Sequence, residues 1–409
     1  MLEANGNFMS KSQIAIVIFT AAVTVWGATA YQYMNTGFSI AMIVFGLYLI
    51  YTLIKKDWPK EIVLDWYMLV GMAILYASLI VVALCHLDNL KNFYGGYFSA
   101  WGFIQYTFPL WMLIYIGWTH DIRKTILVTL YVILYVLCIY GLYHYFHDHQ
   151  QRLSSFYFFP TRIGMMMDMF IPFTVGLGIY YRKNRKIVVF TVVLVILESA
   201  CFYFAKVRGS YGAFAAAAVL CVLVYLALNY KKINGPQLAS IVVSVLLMLG
   251  CMGAFMVGTG KSEKEMLQGG ERLLMWEASY KMWQDHPVTG IGLDEWKKTY
   301  ESDTYRPPKA REIGHIMPHN VFIYFFTTGG TIAGAAYILY CLLIFAWLVR
   351  ENKRHPTPVG MAMLFLFIAG TAHGMVDQTF ILKLTGRIYY MLLGAGIVYQ
   401  RWTKLLEEK

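Results

Sequence analysis

Three short segments gather the residue types that handle anionic substrates: Lys206-Val207-Arg208-Gly209-Ser210, Gly270-Glu271-Arg272 and Pro318-His319-Asn320. Each borders an apolar run. In the first, two cations stand with no acidic residue in the connection. Charge at a hydrocarbon boundary is costly and tends to mark a substrate path. An Arg beside Gly and Ser at a helix start can grip phosphate with its fork while backbone N–H groups assist. The ordinary alternative is snorkelling to lipid headgroups. Arg208 is the stronger candidate and Lys206 the weaker, because a guanidinium presents paired donors and an ammonium a point charge.

Arg272 falls in the first turn of a predicted helix whose Leu273, Trp276, Tyr280 and Trp283 make one apolar stripe able to lie against a membrane. A flexible lead-in at Gly269 and Gly270 precedes it. A cation in a first turn opposes the helix dipole, so Arg272 calls for a partner anion; the plain reading is a solvated Arg neutralised by Glu271. Pro318 favours a helix start and places His319 near the N-terminus of the following span. Helix N-termini disfavour imidazolium, and an uncharged His can accept a proton from an attacking hydroxyl, the task of a general base. A merely hydrogen-bonded His at a membrane edge is the alternative. His315 lies four residues back, but Pro318 intervenes and no Glu follows as in an HExxH helix, so no metal site is expected.

Other polar residues carry weaker signals. Arg162 is a further cation suited to a sugar or phosphate, Trp276 is a stacking platform for a sugar, and Asn320 is a candidate substrate contact. His373 and Asp377 sit one helical turn apart, close enough to hydrogen-bond and shape a cavity. Asp285 to Gly292 reads as a turn, while the adjacent Asp294 and Glu295 point to different faces and suit no acid/base pair. His144, His147 and His149 could ligate a metal but read better as an interfacial fringe. Glu198 lies deep in an apolar run and needs an internal partner.

The elements that must position these residues are membrane spans. Of 409 residues 58% are hydrophobic and 14% charged, where soluble proteins carry about a quarter charged. At roughly 20 apolar residues per crossing, about twelve runs qualify, near 12–30, 37–54, 66–84, 100–117, 125–145, 165–181, 187–205, 210–229, 238–257, 322–348, 358–376 and 386–401. The expected fold is an all-α polytopic membrane protein in one integral domain: residues 1–257 with spans 1–9, a polar loop over 258–318 with short helices, and 319–409 with spans 10–12.

Lys and Arg crowd alternate connections, including Lys55, Lys56, Arg123, Lys124, Lys231, Lys232, Arg350 and Arg354. By the positive-inside rule both termini are cytoplasmic and the long loop faces outward. The net charge of +11 is therefore a topology signal and no nucleic-acid footprint, since the basic residues form no stripe. The six cysteines sit in apolar runs and behave as small hydrophobes, so no disulfide is expected. The first apolar run lacks a small-residue cleavage pattern and is expected to stay as a span.

Together the segments resemble the O-antigen ligase and O-antigen polymerase superfamily of bacterial envelope glycosyltransferases. Lys206 to Ser210 stands where that family has a Ser-Arg-Gly-like motif, with Val207 in place of the usual Ser. Gly270 to Trp276 with the later His286-Pro287 to Gly292 run, and Pro318-His319-Asn320 with Thr328-Gly329-Gly330, carry the rest of the likeness, over residues 195–335. The resemblance implies a GT-C-like enzyme of the bacterial inner membrane, acting on the periplasmic side without cofactor or metal. It would take a glycan from undecaprenyl pyrophosphate, with His319 as general base and Arg208 and Arg272 on the pyrophosphate.

The leading acceptor is a hydroxyl of lipid A-core, which makes a ligase. Joining of lipid-linked repeat units, by a polymerase, uses the same chemistry on another acceptor. The single large outer loop late in the chain leans towards the ligase. A flippase for lipid-linked sugars would be expected to show two related halves, and none is evident. The loop holds nine Lys and Arg against ten Asp and Glu, so bulk attraction cannot recruit an anionic donor and particular arginines must. Arg208→Lys is accordingly expected to lose most transfer activity in a purified assay, because a point charge replaces a bidentate fork; normal turnover in that variant would remove Arg208 from the mechanism.

Overall fold

The computed structural model describes residues 10–30, 34–94, 98–157, 159–258, 270–310 and 314–407. Gly269, the first half of the expected lead-in, lies outside them. The chain is an all-helical polytopic membrane protein. Among the described residues nine helices are long and apolar enough to cross a bilayer: α1 (Lys11–Thr29), α2 (Met34–Lys55), α3 (Trp66–Cys85), α6 (Arg123–His147), α7 (Pro160–Tyr180), α8 (Arg185–Ala205), α9 (Arg208–Asn229), α10 (Gly235–Gly258) and α13 (Val321–Arg354).

The three other apolar runs of the sequence take different forms. The run at 100–117 is divided into α4 (Ala100–Tyr106) and α5 (Phe108–Thr119). Pro109 has no N–H to continue the ladder, and Thr107 turns its hydroxyl onto Ile104 O at 2.7 Å while accepting from Tyr76 Oη at 2.6 Å. The run at 358–376 becomes α14 (Pro358–Gly374), 17 residues that stop short of Asp377. The last run becomes α15 (Lys383–Glu407), every residue of which from Leu384 to Gln400 is buried. Surrounded by protein, α15 has no lipid to face, so it can carry Thr385, Arg387 and Gln400 without the cost that a lipid-exposed helix would meet. α10 is the opposite case, with Met252 its one buried residue.

Basic residues collect at one end of the bundle. Arg123 donates to both oxygens of Asp121 (2.8 and 2.7 Å) and to Tyr180 Oη (2.6 Å). Nearby, His120 stands 3.4 Å from Asp57, and Asp65 lies 3.8 Å from Arg350 and 3.9 Å from Arg354. The segments singled out above are all at the helix ends opposite to these.

At that opposite end α13 is broken. The helix has 34 residues, about 51 Å at 1.5 Å per residue, and Gly330 interrupts it with φ 62° and ψ −162°, a region that essentially only glycine occupies. An unbroken helix would pair Thr331 N–H with Thr327 O and Ile332 N–H with Thr328 O. Here all four groups find partners in residues 287–292. Ile291 and Gly292 N–H donate to Thr327 O and Thr328 O at 3.1 and 2.9 Å, and Thr331 and Ile332 N–H donate to Pro287 O and Val288 O at 2.8 and 3.3 Å. Backbone polar groups inside a membrane protein must be satisfied by protein; the turn read from Asp285 to Gly292 satisfies this break. Gly290 (φ 67°) faces Gly330 so closely that a Cβ on Gly290 would sit 2.5 Å from Gly330 N.

The rest of the loop is tied to the same place. α11 (Gly270–Asp285) buries Met275, Ala278, Ser279 and Met282. Its Trp276 indole donates to Pro318 O at 2.8 Å and its Trp283 indole to Thr331 Oγ1 at 3.3 Å. The short α12 (Trp296–Tyr300) is fixed by Trp296 Nε1 donating to Ser279 Oγ at 2.9 Å. The apolar stripe of the sequence lies on the other side of α11, where Leu273 and Tyr280 are 52% and 57% exposed. There Trp276, Tyr280 and Trp283 face Phe322, Ile323 and Phe326 across an apolar groove of about 290 Å³.

Gly330→Ala is expected to lower the thermal midpoint of the detergent-solubilised protein sharply. The backbone conformation alone costs about 1–3 kcal/mol for a residue other than glycine, and the new Cβ would overlap the Val288 carbonyl. Gly253→Ala, where nothing lies within 4 Å, should leave the midpoint unchanged or raise it. Equal behaviour of the two variants would mean that the loop is not inserted at the break.

Candidate active site

The corner between α8 and α9 is two residues long. Lys206 takes the left-handed conformation (φ 53°, ψ 49°) at the end of α8, Val207 is extended, and Arg208 begins α9. The exposed carbonyls of α8 are taken up locally: Tyr211 Oη donates to Tyr203 O at 2.9 Å, and Arg152 Nε to Ala205 O at 3.1 Å. Gly209, next to Arg208, lies against the end of α14 and the turn after it, where a Cβ would meet His373 Nε2 and Val376 Cγ2 at 3.2 Å each. Arg208 is thereby set beside the turn that carries Asp377.

Asp377 is the hub of the site. Its carboxylate is 3.0 Å from His319 Nδ1 and 3.7 Å from Arg272 Nη2. The Asp377 side chain is 7% exposed, while that of Arg272 is 49% exposed, so the guanidinium keeps one side open to a ligand. Burial by itself would raise the Asp377 carboxyl. The hydrogen bond from His319, with the charges of His373, His319 and Arg272, outweighs burial and holds the group below its ordinary value. Asp377 is therefore an acceptor-only carboxylate at neutral pH.

His319 is held from several directions. Its backbone is left-handed (φ 52°), an uncommon state for a residue with a Cβ. Trp276 pins the preceding carbonyl, Asn320 Nδ2 donates to Met375 O at 2.8 Å, and Asn320 Oδ1 caps α13 by accepting Ile323 N–H at 3.0 Å. On the ring, Gln378 Nε2 lies 3.4 Å from Nδ1, and His315 Nδ1 lies 3.3 Å from Nε2.

Beneath this layer is a second, fully buried one. His373 Nδ1 is 2.6 Å from Asp168 Oδ2 of α7 and 3.3 Å from Ser210 Oγ of α9, which ties three helices together under the Asp377 turn. Around the rim, Arg162 stacks its guanidinium 4.7 Å above the Phe159 ring. Arg152 is pushed down by burial, opposed by the charges of Tyr211 and Asp377, which puts it within electrostatic reach of the hub.

Of the residues chosen from sequence, Arg272, His319 and Asp377 meet directly, and Arg208 stands at the adjoining helix start. Trp276 and Asn320 turn their polar atoms onto backbone. Lys206 forms the corner before Arg208, and Arg162 lies at the start of α7. The expected side-chain bond between His373 and Asp377 is not made: their link is the backbone bond Asp377 N–H to His373 O at 2.9 Å, because Asp168 captures the imidazole from below. Glu198 accepts from Thr174 Oγ1 at 2.9 Å, a partner from another span that no local spacing reveals. Sequence reasoning passed over His315, Asp168 and Ser210 as parts of one cluster. His315 had a signal in its spacing of four from His319, but the intervening Pro318 argued against helical adjacency; the left-handed turn at His319 brings the rings together instead.

These features define a class: a polytopic helical membrane protein with a cationic, histidine-bearing site on one end of the bundle, walled by an inserted loop. Residues 193–338 match a family model described as O-Antigen ligase, and over that segment the chain is similar to the O-antigen ligase and polymerase superfamily. No curated protein matches the chain. The family indicates a membrane glycosyltransferase with activity of the O-antigen ligase or polymerase type, using lipid-linked glycan and lipid acceptor substrates.

The state of Asp377 has a measurable consequence for stability. Its folded value lies below the unfolded value of about 3.9, so its contribution is fully present above that pH and is lost as pH falls through the folded value. Asp377→Asn is expected to have a lower thermal midpoint than the wild type near pH 7, with the gap narrowing below about pH 4. A gap that is absent at pH 7, or that widens in acid, would contradict the hub geometry.

Proposed function

We propose that this protein transfers a glycan from undecaprenyl pyrophosphate to a hydroxyl of lipid A-core at the periplasmic face of the bacterial inner membrane, as an O-antigen ligase. Glycosyl transfer from a pyrophosphate needs two things of a site. The negative charge that grows on the leaving oxygen must be stabilised, and the acceptor hydroxyl must lose its proton as it attacks. Arg272 and Arg208 serve the first need and His319 the second, with Asp377 holding His319 in one orientation. The observation that carries this reading is the meeting of Arg272 and His319, far apart in the chain, on the one buried carboxylate of Asp377.

Placement outside the cytoplasm follows from charge. Arg123, Arg350 and Arg354 are gathered at the other end, and positive loops are retained on the cytoplasmic side. Lys206 and Arg162 stand at the rim as further contacts for pyrophosphate or sugar. Trp276 and Asn320 support the site by fixing the backbone on either side of His319. The loop over 258–318 acts as the outer wall and the spans over 1–257 and 319–409 as the membrane domain.

His319→Ala is expected to insert normally and to lose a factor of about 10²–10⁴ in kcat in a purified assay with lipid-linked donor and lipid A-core acceptor; appreciable turnover would refute its role. Gene deletion separates ligase from polymerase. Loss of the ligase leaves bare core with polymerised chains still on carrier lipid, whereas loss of a polymerase leaves single repeats attached to core.

A further inference from the structure

The connection between α6 and α7 is fixed against the corner that carries Arg208. Its backbone runs along the end of α8, where Leu153 N–H donates to Phe204 O at 2.9 Å and the Leu153 side chain is buried. Ser155 takes the left-handed conformation (φ 50°) and donates its hydroxyl to Leu137 O at 2.9 Å. Gly141 leaves room for this turn, since a Cβ there would stand 2.9 Å from Ser155 Cβ. Arg152 is thereby placed with its Nε donating to Ala205 O at 3.1 Å, just before Lys206-Val207-Arg208.

That bond accounts for one part of the side chain. A guanidinium has five N–H donors, and capping a free carbonyl at the end of α8 uses one of them. The fork of Nη1 and Nη2 has no hydrogen-bond or ion-pair partner among the described residues, and the side chain is exposed. Asp148, the nearest acidic residue in sequence, is taken by His144 at 2.7 Å and His147 at 2.8 Å. Asp377 acts on Arg152 through its charge alone, while its oxygens meet His319, Arg272 and the Gln378 N–H. A solvated arginine is the ordinary reading of an exposed fork. Here the Nε bond already fixes the direction of the fork, so little entropy remains to be lost when a ligand is gripped. Lys206 and Arg208 add like charges at the same corner, which the negative end of α8 offsets only in part.

We infer that Arg152 is a substrate-binding residue whose Nη1 and Nη2 fork holds a phosphate of the lipid-linked donor beside Arg208. The inference rests on the transferase reading above and adds a third arginine, from a connection outside residues 193–338. A planar fork suits two phosphate oxygens through parallel hydrogen bonds. The diphosphate is anionic both before and during bond cleavage, so a fork upon it binds ground state and transition state alike. Such uniform binding shows in KM and not in kcat.

The test compares wild type, Arg152→Gln, Arg152→Lys, Tyr211→Phe and His319→Ala in the purified full-length protein, with undecaprenyl-pyrophosphate-linked glycan as donor and lipid A-core as acceptor. Arg152→Gln is expected to raise donor KM about tenfold to a hundredfold, with kcat and acceptor KM unchanged. Arg152→Lys keeps the charge without the fork and should show a smaller rise in the same constant. Tyr211→Phe removes the bond to Tyr203 O at the same helix end; it should lower the thermal midpoint and leave donor KM alone. Wild-type donor KM in both Arg152 variants, beside an inactive His319→Ala, would overturn the assignment and leave the transferase reading standing. A rise in acceptor KM alone would overturn it too, by placing the fork on the acceptor, as would a Tyr211→Phe variant whose donor KM rises equally. Wild-type kcat in His319→Ala would overturn the transferase reading itself.

Discussion

The arrangement of the site depends on a helix that is broken and repaired by a loop. At Gly330 the ladder of α13 opens, and four backbone groups are paired with residues 287–292. In low dielectric each such group would be costly to leave bare, so the loop and the break require one another. The half of α13 before the break begins at Val321, two residues after His319, and α11, which carries Arg272, is joined to it by Thr327 Oγ1 donating to Ser279 O, with Trp276 bonded to Pro318 just before the helix and Trp283 to Thr331 just past the break. The relative positions of the imidazole and the guanidinium are thus set by main-chain bonds some distance away, and not by contact between the two side chains.

What sequence makes legible follows from which forces are local. The nine spans among the described residues are readable because a helix that faces lipid must be apolar along its own length. The run at 100–117 reads as one span because hydropathy does not register Pro109, whose missing N–H ends one helix and starts another. α15 is the harder case: it is enclosed by other helices, so its composition answers to packing and not to lipid. For the site, Arg208, Arg272 and His319 stand out because a cation or a histidine at a helix edge is locally unfavourable and asks for a partner. The identity of that partner is a tertiary fact. Asp377 pairs with His319 across 58 residues and His373 with Asp168 across 205, so the one-turn spacing of His373 and Asp377 misleads.

Asp377 and Asp168 divide the work between two depths. The upper carboxylate meets a half-exposed guanidinium and an imidazole, and so stands where a ligand can alter its surroundings. The lower one is enclosed with His373 and Ser210, each at 0% exposure, and joins α7, α9 and α14 beneath. Removing one partner of a buried hydrogen-bonded pair of that kind leaves the other unsatisfied, which is destabilising. The lower layer therefore serves as a rigid floor, and the turn from His373 to Asp377 transmits its position to the upper one.

The valine before Arg208 has its own effect. Where a serine could fold its hydroxyl back onto the amides of the first turn, Val207 offers no acceptor, and α9 starts without a side-chain cap. Those amides carry the partial positive end of the helix. On the proposed reading, a diphosphate beside Arg208 would lie at that positive end, so that the start of α9 would bear on the donor through its main chain as well as through its arginine.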